Sequence, residues 1–341
     1  MAYIKRGEFK DYRIWKDNSE WAGFIAYANA TVNNPDVPID EKLDVHLRGN
    51  QVHIYYKGGQ ILKITPRTRN FDSNYFYLKK EHQNIPRTWM EFMANDKLEE
   101  LCKRKIEKEQ CLSVVEAQKV FTGLKEKRDE LIKIGTPETY FKKAGKVMDK
   151  WNQALLEEAD GAHEERLLQQ KISVCNRKRE ETDFIVIDIE FSVTEDKSVG
   201  YHSEVYSHPR FDIIAVQPGK NFRLAVIELK KGIGATGLQR DGSFNKNTKS
   251  GVQDHINKFK DTLGSDRGYR EFVQEMEGVL SAKVEFGILP KELEGVKIPV
   301  EKPEFYLAYA GSEMERFKKA CDEIGQPCIC IMDEQKPLLK L

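Results

Sequence analysis

The chain has 341 residues, of which 40% are hydrophobic and 32% are charged. Its 55 basic and 55 acidic residues cancel, which excludes histone-like coating of nucleic acid but not a local basic groove that steers a polyanion. No apolar run approaches the ~20 residues of a membrane span, and the opening MAYIKRGEFKDY lacks the apolar stretch of a secretory signal. A soluble cytoplasmic protein with no membrane partner is expected.

Residues 1–95 read as a β-rich unit. From Leu43 to Ile64, apolar and polar residues alternate in LDVHLRGNQVHIYYKGGQILKI, punctuated by Gly49-Asn50 and Gly58-Gly59. That pattern predicts a three-stranded meander. Most aromatic residues of this stretch, among them Trp15, Trp21, Tyr27, Tyr55, Phe71 and Tyr75, are expected in its core or in cross-strand pairs, with some left for a binding face. Residues 96–159 read as a helical connector, its second helix opened by Thr136-Pro137. Between Leu101 and Lys150 there are 13 Lys/Arg against 8 Asp/Glu. The excess suits a solvated helix face or a surface that meets phosphates.

Residues 160–341 mix the two periods. DFIVIDIEFSV, FDIIAV and RLAVIEL predict strands, and SGVQDHINKFKDTLG predicts a helix with Val252, Ile256, Phe259 and Leu263 on one stripe. The apolar stretches VEFGILP and EFYLAYAG follow, then the helix SEMERFKKACDEIG and the strand PCICIM. A helix, three strands, a helix and a strand make an α/β domain. The six cysteines are Cys102, Cys111, Cys175, Cys321, Cys328 and Cys330, with no C-x-x-C pair. They read as small buried hydrophobes in a reducing compartment.

Charges then stand where strands should be apolar. Asp212 heads one strand, and Glu228 and Lys230 end the next. Burying them unpaired would cost several kcal/mol, so they need partners or a cation. If the strands pair through Pro218-Gly219, the two carboxylates converge, and a hard divalent cation would relieve their repulsion. Residues 228 and 230 project to one side of the strand, and the Leu229 carbonyl between them could be a further ligand. The plainer alternative is an ion pair of Lys230 with Asp212 or Glu228.

Asp212, a second strand and then Glu228-Leu229-Lys230 resemble the PD-(D/E)XK nuclease superfamily, the restriction-endonuclease-like fold. The resemblance covers about residues 160–341. The usual proline before the Asp is displaced here to Pro209, because Phe211 precedes Asp212. The resemblance implies Mg²⁺, or Mn²⁺ in its place, held by Asp212, Glu228 and Leu229, with Lys230 orienting the attacking water. It implies a further acid on the first core helix, Glu165 or its neighbour Glu164, and a glutamine on the later helix, Gln253. The expected activity is a phosphodiesterase acting on nucleic acid, with DNA as substrate, endonucleolytic attack, and a setting such as restriction or anti-phage defence. RNA is the other candidate substrate. The rival expectation is a catalytically silent scaffold of the same shape that binds nucleic acid or protein. The N-terminal half would supply substrate choice or homo-oligomer contacts.

GIGATG, from Gly232 to Gly237, spells G-x-G-x-x-G after a strand. A dinucleotide site needs those glycines to open a helix, and the polar LQRDGSFNKNTKSG that follows is a poor one. His202, His208 and Arg210 precede Asp212 and read as turn residues that could meet a phosphate.

Overall fold

A computed structural model describes residues 2–3, 19–48, 51–65, 68–71, 75, 135–157, 161–192, 194–195, 210–246 and 251–341. The strands are β1 (Ala2–Tyr3), β2 (Asp44–Leu47), β3 (Val52–Tyr56), β4 (Gly59–Ile64), β5 (Arg69–Asn70) and β6 (Ile185–Ser192). They continue with β7 (Thr194–Glu195), β8 (Arg210–Gln217), β9 (Arg223–Lys231), β10 (Glu304–Ala310) and β11 (Cys328–Cys330). The helices are α1 (Ser19–Asn33), α2 (Pro137–Glu157), α3 (Gly161–Cys175), α4 (Val252–Leu263), α5 (Asp266–Glu285) and α6 (Met314–Glu323). Contacts divide the chain into two units, one of Ile14–Val45 with Gln51–Leu167, the other of Met1–Arg13, His46–Asn50 and Leu168–Leu341. None of the described helices is long and apolar enough to cross a membrane.

In the first unit, the expected meander forms within a four-stranded sheet of order β2-β3-β4-β5. Its second turn sits at Lys57-Gly58, where both residues are left-handed (φ 49° and 74°). Two such residues make the hairpin turn whose twist matches the flanking strands. Gly59 follows because α2 lies against it. A Cβ there would come within 2.5 Å of Met148 Cε and 2.8 Å of the Trp151 ring. The tract read as β-rich also contains α1, which buries Trp21, Phe24, Ile25 and Ala28 at helical spacing. Phe24 packs edge-on against Tyr140 and Phe141 of α2. Trp15 and residues 76–134, which include most of the connector, lie outside the described residues.

The second unit is built on a five-stranded sheet, β11-β10-β9-β8-β6. β6, β8 and β9 run antiparallel, whereas β9, β10 and β11 run parallel. Parallel neighbours need crossovers, supplied by α4 with α5 and by α6. Both crossovers step the same way across the sheet, so uniform handedness puts their helices on one face. There Phe259, Phe272, Met276 and Phe317 pack with Ile214, Val216, Leu224 and Val226. On the other face, Leu168 and Ile172 of α3 cover Ile213, Ala215, Ala225 and Ile227, together with Ile331 and Leu339. The order helix, three antiparallel strands, helices and parallel strand follows the expected α/β layout. Of the apolar stretch VEFGILP, Val284 and Glu285 end α5.

Leu339 is latched into this layer by backbone bonds. Its N–H donates to Asn176 Oδ1 at 2.8 Å, and its carbonyl accepts from Thr182 Oγ1 at 2.8 Å and Asp183 N at 3.0 Å. Asn176 Nδ2 donates in turn to the Pro337 carbonyl at 2.8 Å. Lys283 of α5 is also fully buried, with its Nζ 3.2 Å from His46 Nδ1, which stands 3.2 Å from Asp188 Oδ1.

Candidate active site

β8 and β9 pair with Ile213 opposite Ile227. The register ends at that pair, and Asp212 and Glu228 are the next residues on their strands. Asp212 Oδ2 accepts the Leu229 N–H at 2.9 Å, so its carboxylate reaches the peptide that follows Glu228. The Gln169 side-chain amide, on α3, donates to the Asp212 carbonyl.

Along β9, Leu224 and Val226 face α4 and α5, while Ala225, Ile227 and Leu229 face α3. Glu228 and Lys230 continue the first series. β8 breaks its own alternation at Asp212. Phe211 and Ile213, two residues apart, belong to opposite layers. Glu190, between Ile189 and Phe191, which pair with Ile213 and Phe211, is left-handed (φ 48°). Left-handed backbone at a non-glycine is costly and gathers at sites where a side chain must be re-aimed. Arg210, at the exposed start of β8, stands 3.7 Å from Glu190.

Glu228 is 1% exposed. Its Oε1 lies 2.6 Å from Lys230 Nζ and 3.0 Å from His255 Nδ1, on α4. Burial pushes the Glu228 pKa up, but the His255 hydrogen bond and the Lys230 charge outweigh it and hold the carboxyl below its ordinary value. The ion pair of the plainer reading is therefore present. It accounts for only half of the carboxylate, because Glu228 Oε2 is buried with no hydrogen-bond partner, as is His255 Nε2. A buried acceptor left bare costs about 1–3 kcal/mol, more when charged.

The other expected residues are placed differently. The Gln253 amide bonds Asn257 one turn along α4, at 3.2 Å in an exposed position. Glu164 and Glu165 lie in the first turns of α3, in the part that belongs to the other unit. Leu229 is buried in the α3-side layer. His202 and His208 fall outside the described residues. GIGATG forms a 3-10 turn at Ile233–Thr236, followed by a Leu238–Phe244 bridge, and the next helix begins at Val252. Among the described residues, no cluster of three or more His, Cys, Asp and Glu side chains is arranged to hold a metal.

Sequence reading missed His255 and Gln169. The signal for His255 was present: it stands three residues after Val252 and four before Phe259, at the edge of the buried stripe, whereas Gln253 is turned about 90° away from it. Gln169 acts on a backbone carbonyl, which no side-chain motif announces. The chain matches no family model, no curated protein and no solved structure.

Proposed function

We propose that this chain is a divalent-metal-dependent nuclease that hydrolyses phosphodiester bonds, with DNA as substrate and endonucleolytic attack. The observation that carries the reading is the bare, buried Glu228 Oε2, beside Lys230 and one residue before the Leu229 N–H that Asp212 accepts. The order of helix, three strands, helix and strand supports the restriction-endonuclease-like comparison.

The donor set fits a hard cation. Asp212 and Glu228 offer carboxylate oxygens and Leu229 a carbonyl, and Mg²⁺ or Mn²⁺ needs only one or two carboxylates when water and phosphate complete its shell. Such an ion, when bound, polarises a phosphoryl oxygen and acidifies a bound water. Lys230 supplies a fixed positive charge beside that position, suited to orienting water and offsetting developing charge. His255 holds Glu228 Oε1 and leaves Oε2 for the cation, a positioning role. Gln169 fixes the backbone at Asp212.

The test pairs plasmid cleavage in Mn²⁺ against EDTA with the melting temperature under the same titration. Cleavage lost in EDTA, a Mn²⁺-dependent rise in melting temperature, and loss of both in Asp212→Asn support the reading. The 2.6 Å Glu228–Lys230 pair favours a second reading, a silent scaffold whose charges are structural. A wild-type protein that neither cuts nor gains stability with Mn²⁺ would establish that scaffold instead.

A further inference from the structure

Three of the cysteines converge at the edge of the five-stranded sheet. Cys321 is buried on α6, within the core that α4 and α5 share. Cys328 packs against that core from β11, the edge strand, and Cys330 lies two residues further on. Cys328 and Cys330 are both partly exposed, and all three carry free thiols. The side chain of Cys328 interacts with those of Cys321 and Cys330. Lys318, one turn before Cys321 on α6, adds positive charge, and Asp322 opposes it. The interaction with Cys321, helped by Lys318 and Cys330, outweighs burial and the Asp322 charge and brings the Cys328 thiol down to about 7, while Cys321 and Cys330 are pushed up. The arrangement is asymmetric: one accessible sulfur with thiolate character, backed by a buried thiol that keeps its proton.

We propose that Cys328 and Cys321 form a peroxide-reactive thiol pair, Cys328 as the attacking sulfur and Cys321 as its resolving partner. The oxidant is a hydroperoxide. The Cys328 thiolate attacks one peroxide oxygen, the O–O bond breaks, and Cys328 becomes a sulfenic acid while hydroxide leaves and takes up a proton. The Cys321 sulfur then attacks Cys328, the S–O bond breaks, and the departing hydroxide leaves as water with the Cys321 proton. Two thiols lose two electrons to a disulfide, and hydrogen peroxide is reduced to two waters. Cys330 stabilises the thiolate and stands outside the bond that forms.

The pair needs no metal and is independent of the nuclease reading. The test exposes the reduced full-length protein to stoichiometric hydrogen peroxide at neutral pH and blocks remaining thiols with N-ethylmaleimide. Glutamyl endopeptidase then cuts after Glu323, which separates Cys321 from Cys328. The expected result is two peptides joined through Cys321 and Cys328. Alkylation of the reduced protein should modify Cys328 about tenfold faster than an unstructured cysteine peptide at neutral pH, as a greater thiolate fraction requires. In Cys321→Ser, a dimedone adduct on Cys328 should replace the disulfide. Equal rates at Cys328 and in the peptide, an unlinked pair of fragments, or a Cys328–Cys330 bond in wild type would each overturn the assignment.

Discussion

At the scale of single residues, Glu228 decides how the site reads. It is buried, ionised and half satisfied, and both of its partners meet the same oxygen. Removing one member of a buried ion pair costs about 3–5 kcal/mol. Lys230→Ala should fall at the lower end, because His255 still binds Glu228, and chemical denaturation measures the drop. If Lys230 also orients water, cleavage by the folded variant should fall about 10²–10³-fold. A Lys230→Ala protein that is destabilised yet cuts at the wild-type rate would restrict the lysine to a structural role. His255→Phe should preserve the fold and weaken Mn²⁺ affinity about 10–100-fold, as loss of a group that orients a ligand does. The Mn²⁺ dependence of the melting temperature checks it, and an unchanged midpoint would remove His255 from the site. The carboxylates and Lys230 were legible in the sequence because charge in an apolar strand is conspicuous. His255 was not, because a histidine at the rim of a helical stripe looks like many others.

Elements were legible where their pattern was clean. β8 and β9 read as strands because Ile, Val and Leu fill them between charged ends. α5 was overlooked because its buried stripe, Phe272, Met276, Val279, Leu280, ends in a fully buried Lys283 rather than an apolar residue. Only the three-dimensional neighbours His46 and Asp188 explain that lysine. The seating of α2 on β4 was equally hidden, since nothing local marks Gly59 as a packing glycine. Gly59→Ala should destabilise by about 1–3 kcal/mol through overpacking against Met148 and Trp151. A variant as stable as wild type would show that α2 can yield there. The start of β10 carries a different device. Glu304 accepts from Lys220 at 2.7 Å and from Arg223 and Gln217, each at 3.1 Å, tying the β8–β9 turn to the parallel strand. Partial burial pushes Glu304 up, but Lys220, Tyr306 and Gln217 pull it from 4.5 down to about 2. Its folded value is depressed, so the stabilisation is complete above 4.5 and is lost as pH falls toward 2. Glu304→Gln should therefore melt lower than wild type at neutral pH, with the gap closing over that acid range. A gap that persists below it would assign the effect to packing.

Over the whole molecule, the layer order was legible because alternation and helical stripes fix which faces are apolar. The partition of the chain was not, since residues 46–50 cluster with the distant C-terminal segment rather than with their neighbours. The latch at Leu339 has a consequence for synthesis. Asn176 and its partners Pro337 and Leu339 are 161 and 163 residues apart in the chain. Contacts that distant form late, because loop closure precedes their reward. On the ribosome, the α3-side layer therefore stays open until Leu339 clears the exit tunnel, although every strand of the sheet has been translated before it. Stalled nascent chains ending at Gln335 should be digested readily between α3 and β6, whereas chains extended well past Leu341 by a linker should resist. Equal protection in both would mean that the sheet closes its second face without the latch.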